Sequence, residues 1–193
     1  GHINDKFGQK MSKSKGNVVD PWATMEKYGV DAVRWYFYTA TPPGEPKDFD
    51  EQELAKTYRK FHLILWNSLV FWKTYSVRAV NAKHQASKNI LDAWILARLG
   101  ETAAGVTKEL DRYDIRAAAL TLEAFVDDLS RWFIRRSRRR FQKPESQKDL
   151  LAASDTLRTA LMGVTKLLAP FAPFYAETLY RELGGEEDSV HLA

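Results

Sequence analysis

A mainly α-helical fold, an antiparallel helix bundle preceded by a small loop-and-helix segment, follows from three observations. After residue 50, apolar side chains recur at three- and four-residue steps in four long runs. Polar segments separate these runs, and none of them alternates with the two-residue period of a strand. At 193 residues the chain can bury one substantial core with a smaller appendage.

Residues 1–19 hold Gly8, Gly16 and many polar side chains, which predicts a short extended piece and a loop. Asp20 can cap a helix whose first position is Pro21 and which Gly29 ends. Asp31 restarts a second helix through Val33, Trp35, Tyr36 and Phe37. Thr41 to Asp50, with Pro42, Pro43, Gly44 and Pro46, reads as a stiff linker and divides the chain into domains 1–45 and 46–193.

Leu54, Tyr58, Phe61, Leu65, Leu69 and Trp72 share one face of a long helix. Asn89 caps the next, with a stripe of Leu91, Ile95, Leu99, Val106 and Leu110. Asp114 begins a third that carries Leu122, Phe125, Val126, Leu129, Trp132 and Phe133. Leu150, Leu157, Leu161, Val164 and Leu168 mark a fourth, ended near Pro170, and a shorter fifth runs from Pro173 to the Gly184-Gly185 pair. Segments 76–88 and 142–148 read as polar loops, and the aromatic stripes read as core, not as platforms for bases.

The formal charge of +4 is mild, but its distribution is not. Residues 131–143 carry six arginines and one lysine and no acid. At 100° per residue, Arg131, Arg135 and Arg138 fall together, opposite the Phe125-Leu129-Trp132 stripe. Arg136 and Arg140 fall on the stripe itself and must pair with acids or extend beyond the core. Asp127 can reach Arg131 at i,i+4, so a solvated face and a phosphate-binding face are both open. The absence of cysteine excludes disulfides and thiolate zinc sites and is compatible with the cytoplasm. His2, His62, His84 and His191 show no ligand spacing, so no metal site is expected. No apolar run approaches the roughly 18 residues of a membrane span and no signal-like leader is visible, so a soluble protein without membrane association is expected.

Lys10-Met11-Ser12-Lys13-Ser14-Lys15-Gly16-Asn17 is the most particular stretch. Lysines are compact charges on long stems, and on a hydroxyl-rich loop they suit a polyphosphate whose charge moves during a reaction. A solvated basic loop is the bland alternative. The wording resembles the KMSKS signature of class I aminoacyl-tRNA synthetases. Asp20-Pro21-Trp22 and Tyr28 to Tyr36 resemble the segment that follows this loop in the isoleucyl, valyl and leucyl enzymes. Arg59-Lys60-Phe61 through Leu65-Trp66-Asn67 resembles the first long helix of their anticodon-binding bundle. Asp127 to Phe141 looks most like the isoleucyl branch, and Leu168 to Phe174 and Ser189 to Leu192 point the same way.

The resemblance spans nearly the whole chain and implies the following. The bundle is a class Ia anticodon-binding domain, and the segment before it joins the KMSKS loop to a helical stem-contact region. Lys13 is the principal catalytic candidate and Lys10 the supporting charge, acting on the pyrophosphate that leaves ATP. ATP would be met by Lys10, Met11, Ser12, Lys13 and Ser14, with Mg2+ accompanying it in the intact enzyme. Met11 packs as an anchor, Gly16 lets the backbone approach closely, Lys15 has no role, and Asn17 is a turn residue before it is a phosphate contact. The loop is expected to be poorly ordered.

Arg131, Arg135 and Arg138 would meet tRNA, with tRNA-Ile the expected partner and isoleucine the amino acid. The dinucleotide-type catalytic fold, the HIGH-type histidine motif and the editing domain of such an enzyme are not in this sequence, so the chain by itself is expected to be inactive, and monomeric. The same region of a valine or leucine enzyme, a standalone tRNA-binding module, and a helical scaffold for a protein partner are the competing expectations.

Overall fold

The structure, a computed structural model, describes residues 3–42, 44–77 and 88–193. Gly1, His2, Pro43, His84 and most of the polar loop expected over 76–88 lie outside the described residues.

A two-stranded parallel sheet joins β1 (Ile3–Asn4) to β2 (Lys47–Asp48). This corrects the reading of 41–50 as linker alone. Phe49 is buried, its N–H donates to the Asn4 carbonyl at 2.9 Å, and Lys47 Nζ donates to the Phe37 and Thr41 carbonyls. The strands are two residues each, too short for a period to show.

Helix α1 (Pro21–Tyr28) begins as expected, with the Asp20 carboxylate accepting from Trp22 N at 2.9 Å, and stops at Gly29, whose φ of +85° favours glycine. Helix α2 (Val30–Thr39) contributes to two cores. Val33 and Tyr36 join Phe49 and Leu54 in a small one, while Trp35 enters the main one and stacks on Phe61 at 3.9 Å between ring centroids.

The expected first long helix is two, α3 (Glu51–Lys60) and α4 (His62–Tyr75), broken at Phe61 (φ −114°, ψ −69°) where that residue meets Trp35. Apolar spacing runs on through the break, so periodicity alone cannot show it. Helix α5 (Ile90–Asp111) is capped by Asn89, and α6 (Ile115–Asp127) by Asp114. A π-helical turn over 128–134 then leads into α7 (Arg135–Gln142). Helices α8 (Gln147–Leu168) and α9 (Pro173–Glu182) complete the bundle. Leu65, Leu69, Ile95, Leu122, Phe125, Leu129, Leu157 and Leu161 form its centre. Among the described residues no helix is long and apolar enough to cross a membrane.

The π turn corrects the helical wheel. Its i→i+5 bonds admit an extra residue, so everything beyond Leu129 is rotated relative to an uninterrupted α-helix. Phe133, Ile134, Ser137 and Phe141 face the core. Trp132, expected in the stripe, is 45% exposed, and Arg136, expected on the stripe, lies outside with its guanidinium 3.7 Å from the Trp132 ring centroid. Arg140 does turn inward, and it pairs with acids as its position required.

Two polar contacts tie α2 and α4 to α9. Asp31 Oδ2 accepts from Tyr175 N at 2.7 Å, and the Tyr175 hydroxyl donates to the His62 carbonyl at 2.7 Å. The His62 imidazole itself is buried among Trp35, Tyr58, Phe61 and Tyr175, and neither nitrogen is hydrogen-bonded among the described residues. Burial pulls its pKa down to about 4. A base with a depressed folded pKa binds its proton in the unfolded chain first. Its contribution is therefore present above pH 6.5 and declines as pH falls toward 4. His62→Phe keeps the ring in its aromatic cage and should flatten this part of the stability–pH profile in denaturant titrations. An unchanged difference between wild type and variant from pH 7 to 4 would place the imidazole elsewhere.

Candidate functional sites: a lysine loop and an arginine groove

The loop is built on a hairpin. Asn4 and Lys10 form an antiparallel bridge, Asp5 N–H donates to the Gln9 carbonyl at 2.8 Å, and Gly8 turns the chain at φ +75°. Because β1 is paired with β2, the hairpin stands on the sheet. Lys10 therefore leaves a fixed base. Met11 packs against the small core, as an anchor should. Beyond it, Lys13–Lys15 make one 3-10 turn that ends at Gly16, with φ +67°.

The loop makes several side-chain hydrogen bonds to its own hairpin. Asn17 Oδ1 accepts from Ser12 N at 2.9 Å, and its amide nitrogen donates to Asp5 Oδ2 at 2.8 Å and to the Lys10 carbonyl at 3.4 Å. Asn17 is thus more than a turn residue. Ser12 and Ser14 share a hydroxyl contact of 3.2 Å, and Lys13 and Lys15 stand exposed. Hydrogen bonds, first from the Asn17 amide and then from Gln9 N–H, hold the Asp5 carboxyl below its ordinary pKa. The result is a hydrogen-bonded loop with exposed cations at its tip, charges placed where a polyphosphate could meet them.

The second site lies between α4 and the π–α7 segment. Arg131, Arg135 and Arg138 line one open groove of about 490 Å³ together with Asn67, Ser68, Phe71, Ser130 and Ile134. The wheel had placed the three arginines on a common face, and the structure brings them together. Arg131 is also paired with Asp127 at 2.8 Å, as the i,i+4 spacing allowed. The Arg138 guanidinium sits 5.6 Å from the Phe71 ring centroid, and Arg135 has no ion-pair partner among the described residues. Among the described residues that line the groove there is no carboxylate. Asn67 and Ser68 come from α4, and a wheel of one helix cannot show which polar residues a neighbouring helix will supply; Ser130 stands beside Arg131 in the π turn itself.

Arg140 supports this wall from behind. Its guanidinium, partly buried on the inner side of α7, makes bonds of 2.6 and 2.9 Å to the Asp92 carboxylate on α5 and bonds of 2.7 to 3.1 Å to Asp149 on α8. Among the described residues no cluster of three or more His, Asp or Glu could hold a metal ion.

Comparison with known proteins covers both sites. Residues 92–193 match the anticodon-binding domain of tRNA ligase, and residues 1–50 match the class I tRNA synthetases for I, L, M and V. The chain is 49% identical over 201 residues to an isoleucine–tRNA ligase of Dehalococcoides mccartyi (strain CBDB1), covering all of this chain and 20% of that protein. It is 43% identical over 203 residues to the isoleucine–tRNA ligase of Thermus thermophilus, again covering all of this chain and 20% of the relative. The chain thus spans about a fifth of the length of the curated relatives it matches.

Among solved structures it resembles a Mycobacterium tuberculosis methionyl-tRNA synthetase in complex with methionyl-adenylate. That match has a TM-score of 0.77 and 22% identity, covering 96% of this chain and 38% of the other. It also resembles an Agrobacterium radiobacter LeuRS in a ternary complex with tRNA and LeuAMS (TM-score 0.65, 24% identity, 97% and 22% covered). At these identities the structural matches establish the helical fold alone.

Proposed function

Because the chain belongs to the class I tRNA ligases, the family whose anticodon-binding domain its residues 92–193 match, we propose that it serves within an isoleucine–tRNA ligase. In this reading the 10–17 loop assists ATP-dependent formation of isoleucyl-adenylate and the bundle holds tRNA-Ile. The isoleucine–tRNA ligases among its relatives support isoleucine over valine or leucine. The proposed division at 45/46 puts the loop at the end of the catalytic region, with α2 passing its Trp35 into the bundle core.

The single observation that carries the tRNA part is the convergence of Arg131, Arg135 and Arg138 on one groove, with Arg135 free of any ion pair among the described residues. Planar guanidinium groups suit phosphate oxygens, and backbone contacts give affinity and orientation, not sequence choice. For the loop, the isoleucine carboxylate attacks the ATP α-phosphorus, the bond to the bridging oxygen breaks, and charge grows on the departing pyrophosphate. Lys13 supplies charge there, with Lys10 in support, while Met11, Ser12 and Ser14 complete the contact with ATP. The loop offers cations and hydroxyls, not the carboxylates a Mg2+ ion takes, so its own residues do not fit the metal.

The test of the groove is the salt dependence of tRNA binding. Each phosphate contact contributes a log–log slope of roughly 0.7–0.9 through released counterions. Replacing Arg131, Arg135 and Arg138 together by alanine should flatten the slope by about two to three units and weaken cognate and non-cognate tRNA alike. Helicity should persist, since alanine is the stronger helix former. An unchanged slope in the folded triple variant would return the three arginines to a solvated face. A loss confined to cognate tRNA would mean that they read bases.

A further inference from the structure

The most heavily bonded side chain of the loop is not one of its lysines or serines. The Asn17 amide joins three separate places: the Ser12 N–H, where the 3-10 turn starts, the Lys10 carbonyl, where the loop leaves the hairpin, and the Asp5 carboxylate inside that hairpin. Asp5 is in turn fixed by its other oxygen, which accepts from Phe7 N and Gln9 N at 2.9 Å each. Beneath it, Asn4 binds Asp48 on β2 at 3.1 Å. These contacts run without interruption from the sheet to the turn that carries Lys13.

We infer that Asp5 and Asn17 are positioning residues, a clasp that closes the 10–17 loop against its hairpin and fixes where Lys10 and Lys13 stand. The inference rests on the adenylation reading above. Only the amide form of residue 17 supplies both the acceptor for Ser12 N–H and the donor for Asp5. Lysine stems are long, so without the clasp their ammonium groups would still reach the phosphates, but from many positions. A displacement of about 1 Å from the productive geometry can cost on the order of a hundredfold in rate. Binding of ground-state ATP depends less on that placement, so the loss should fall on turnover.

The test uses the full-length protein in wild type, Asn17→Ala, the isosteric Asn17→Asp, Asp5→Asn, and the double variant Asp5→Asn with Asn17→Asp. Asn17→Asp sets carboxylate against carboxylate. Asp5→Asn sets amide donor against amide donor, or else gives up the bonds from Phe7 and Gln9. The double variant restores a donor–acceptor pair, because the amide at position 5 then donates to the carboxylate at position 17.

Two measurements are made. Tryptic cleavage after Lys10, Lys13 and Lys15 should quicken by roughly tenfold in each single variant and return to within about threefold of wild type in the double, since cleavage follows local opening. In the same proteins kcat for isoleucyl-adenylate formation should fall by roughly 30- to 100-fold in the single variants and recover in the double, with the KM for ATP moving by less than about threefold. Single variants that match wild type in both measurements overturn the clasp, as does a double variant no better than Asn17→Asp. Faster cleavage without any loss of kcat overturns the positioning role. A wild-type protein that makes no isoleucyl-adenylate, but whose cleavage follows the pattern above, overturns the ligase reading and leaves the clasp standing.

Discussion

Arg140→Met should cost about 3–5 kcal/mol of folding stability, the range for breaking a buried ion pair by removing one partner. The Arg140 side chain is 13% exposed and that of Asp92 is fully buried, so the substitution removes a bidentate, charge-assisted contact from inside the bundle. Burial alone would lower the arginine pKa, but the bonds to Asp92 and Asp149 outweigh it and the value rises. Equilibrium unfolding in urea measures the loss. Arg140→Lys keeps the charge but cannot form both bidentate contacts, and should fall between wild type and methionine. A methionine variant within about 0.5 kcal/mol of wild type, the usual range for surface substitutions, would mean that the triad does not hold the bundle together.

The triad also has a functional consequence. Arg140 ties α7 to α5 through Asp92 and to α8 through Asp149, and α7 carries Arg135 and Arg138 on its opposite side. A looser α7 presents its arginines in more orientations, so the methionine variant should also bind tRNA less well although position 140 is not in the groove. On α7, Arg135 and Arg138 thus line an open groove while Arg140 turns inward to Asp92 and Asp149. Net charge alone does not distinguish them.

That division was partly legible in the sequence. Helix starts at Asp20, Asn89 and Asp114 followed from local capping chemistry, which depends on neighbours within a few residues. The grouping of Arg131, Arg135 and Arg138 survived because its residues lie within two turns. What the wheel missed were consequences of one non-local event, the π turn over 128–134, which moved Trp132 and Arg136 outward. The break at Phe61 leaves no periodic signal for a similar reason: it coincides with a stack on Trp35 from another helix. At the loop, residue types marked the lysines as suited to a polyphosphate, and the resemblance to the KMSKS signature singled out Lys13 and Lys10. Asn17 could not be ranked the same way, since its role lies in three partners that come together only when the hairpin folds.

If the proposed adenylation holds, Lys13→Ala in the full-length protein should lower the rate of adenylate formation by an amount equivalent to about 2–4 kcal/mol of transition-state stabilisation, with tRNA affinity nearly unchanged. Lys13 is exposed at the tip of the loop, in the 3-10 turn after Ser12, and no ion-pair partner among the described residues competes for it. Its charge is therefore available to a departing pyrophosphate, whose oxygens gain negative charge only as the bond to the α-phosphorus breaks. An interaction that strengthens in this way lowers the barrier more than it tightens ATP binding, so kcat should fall further than KM rises. Lys10→Ala should cost less, since Lys10 stands at the hairpin bridge and not in the turn. Stopped-flow measurement of adenylate formation separates these outcomes. If the Lys13→Ala enzyme forms adenylate at the wild-type rate but binds tRNA more weakly, the loop belongs with the nucleic-acid surface. If Lys10→Ala proves the more damaging change, the hairpin end of the loop, not its tip, meets the leaving group.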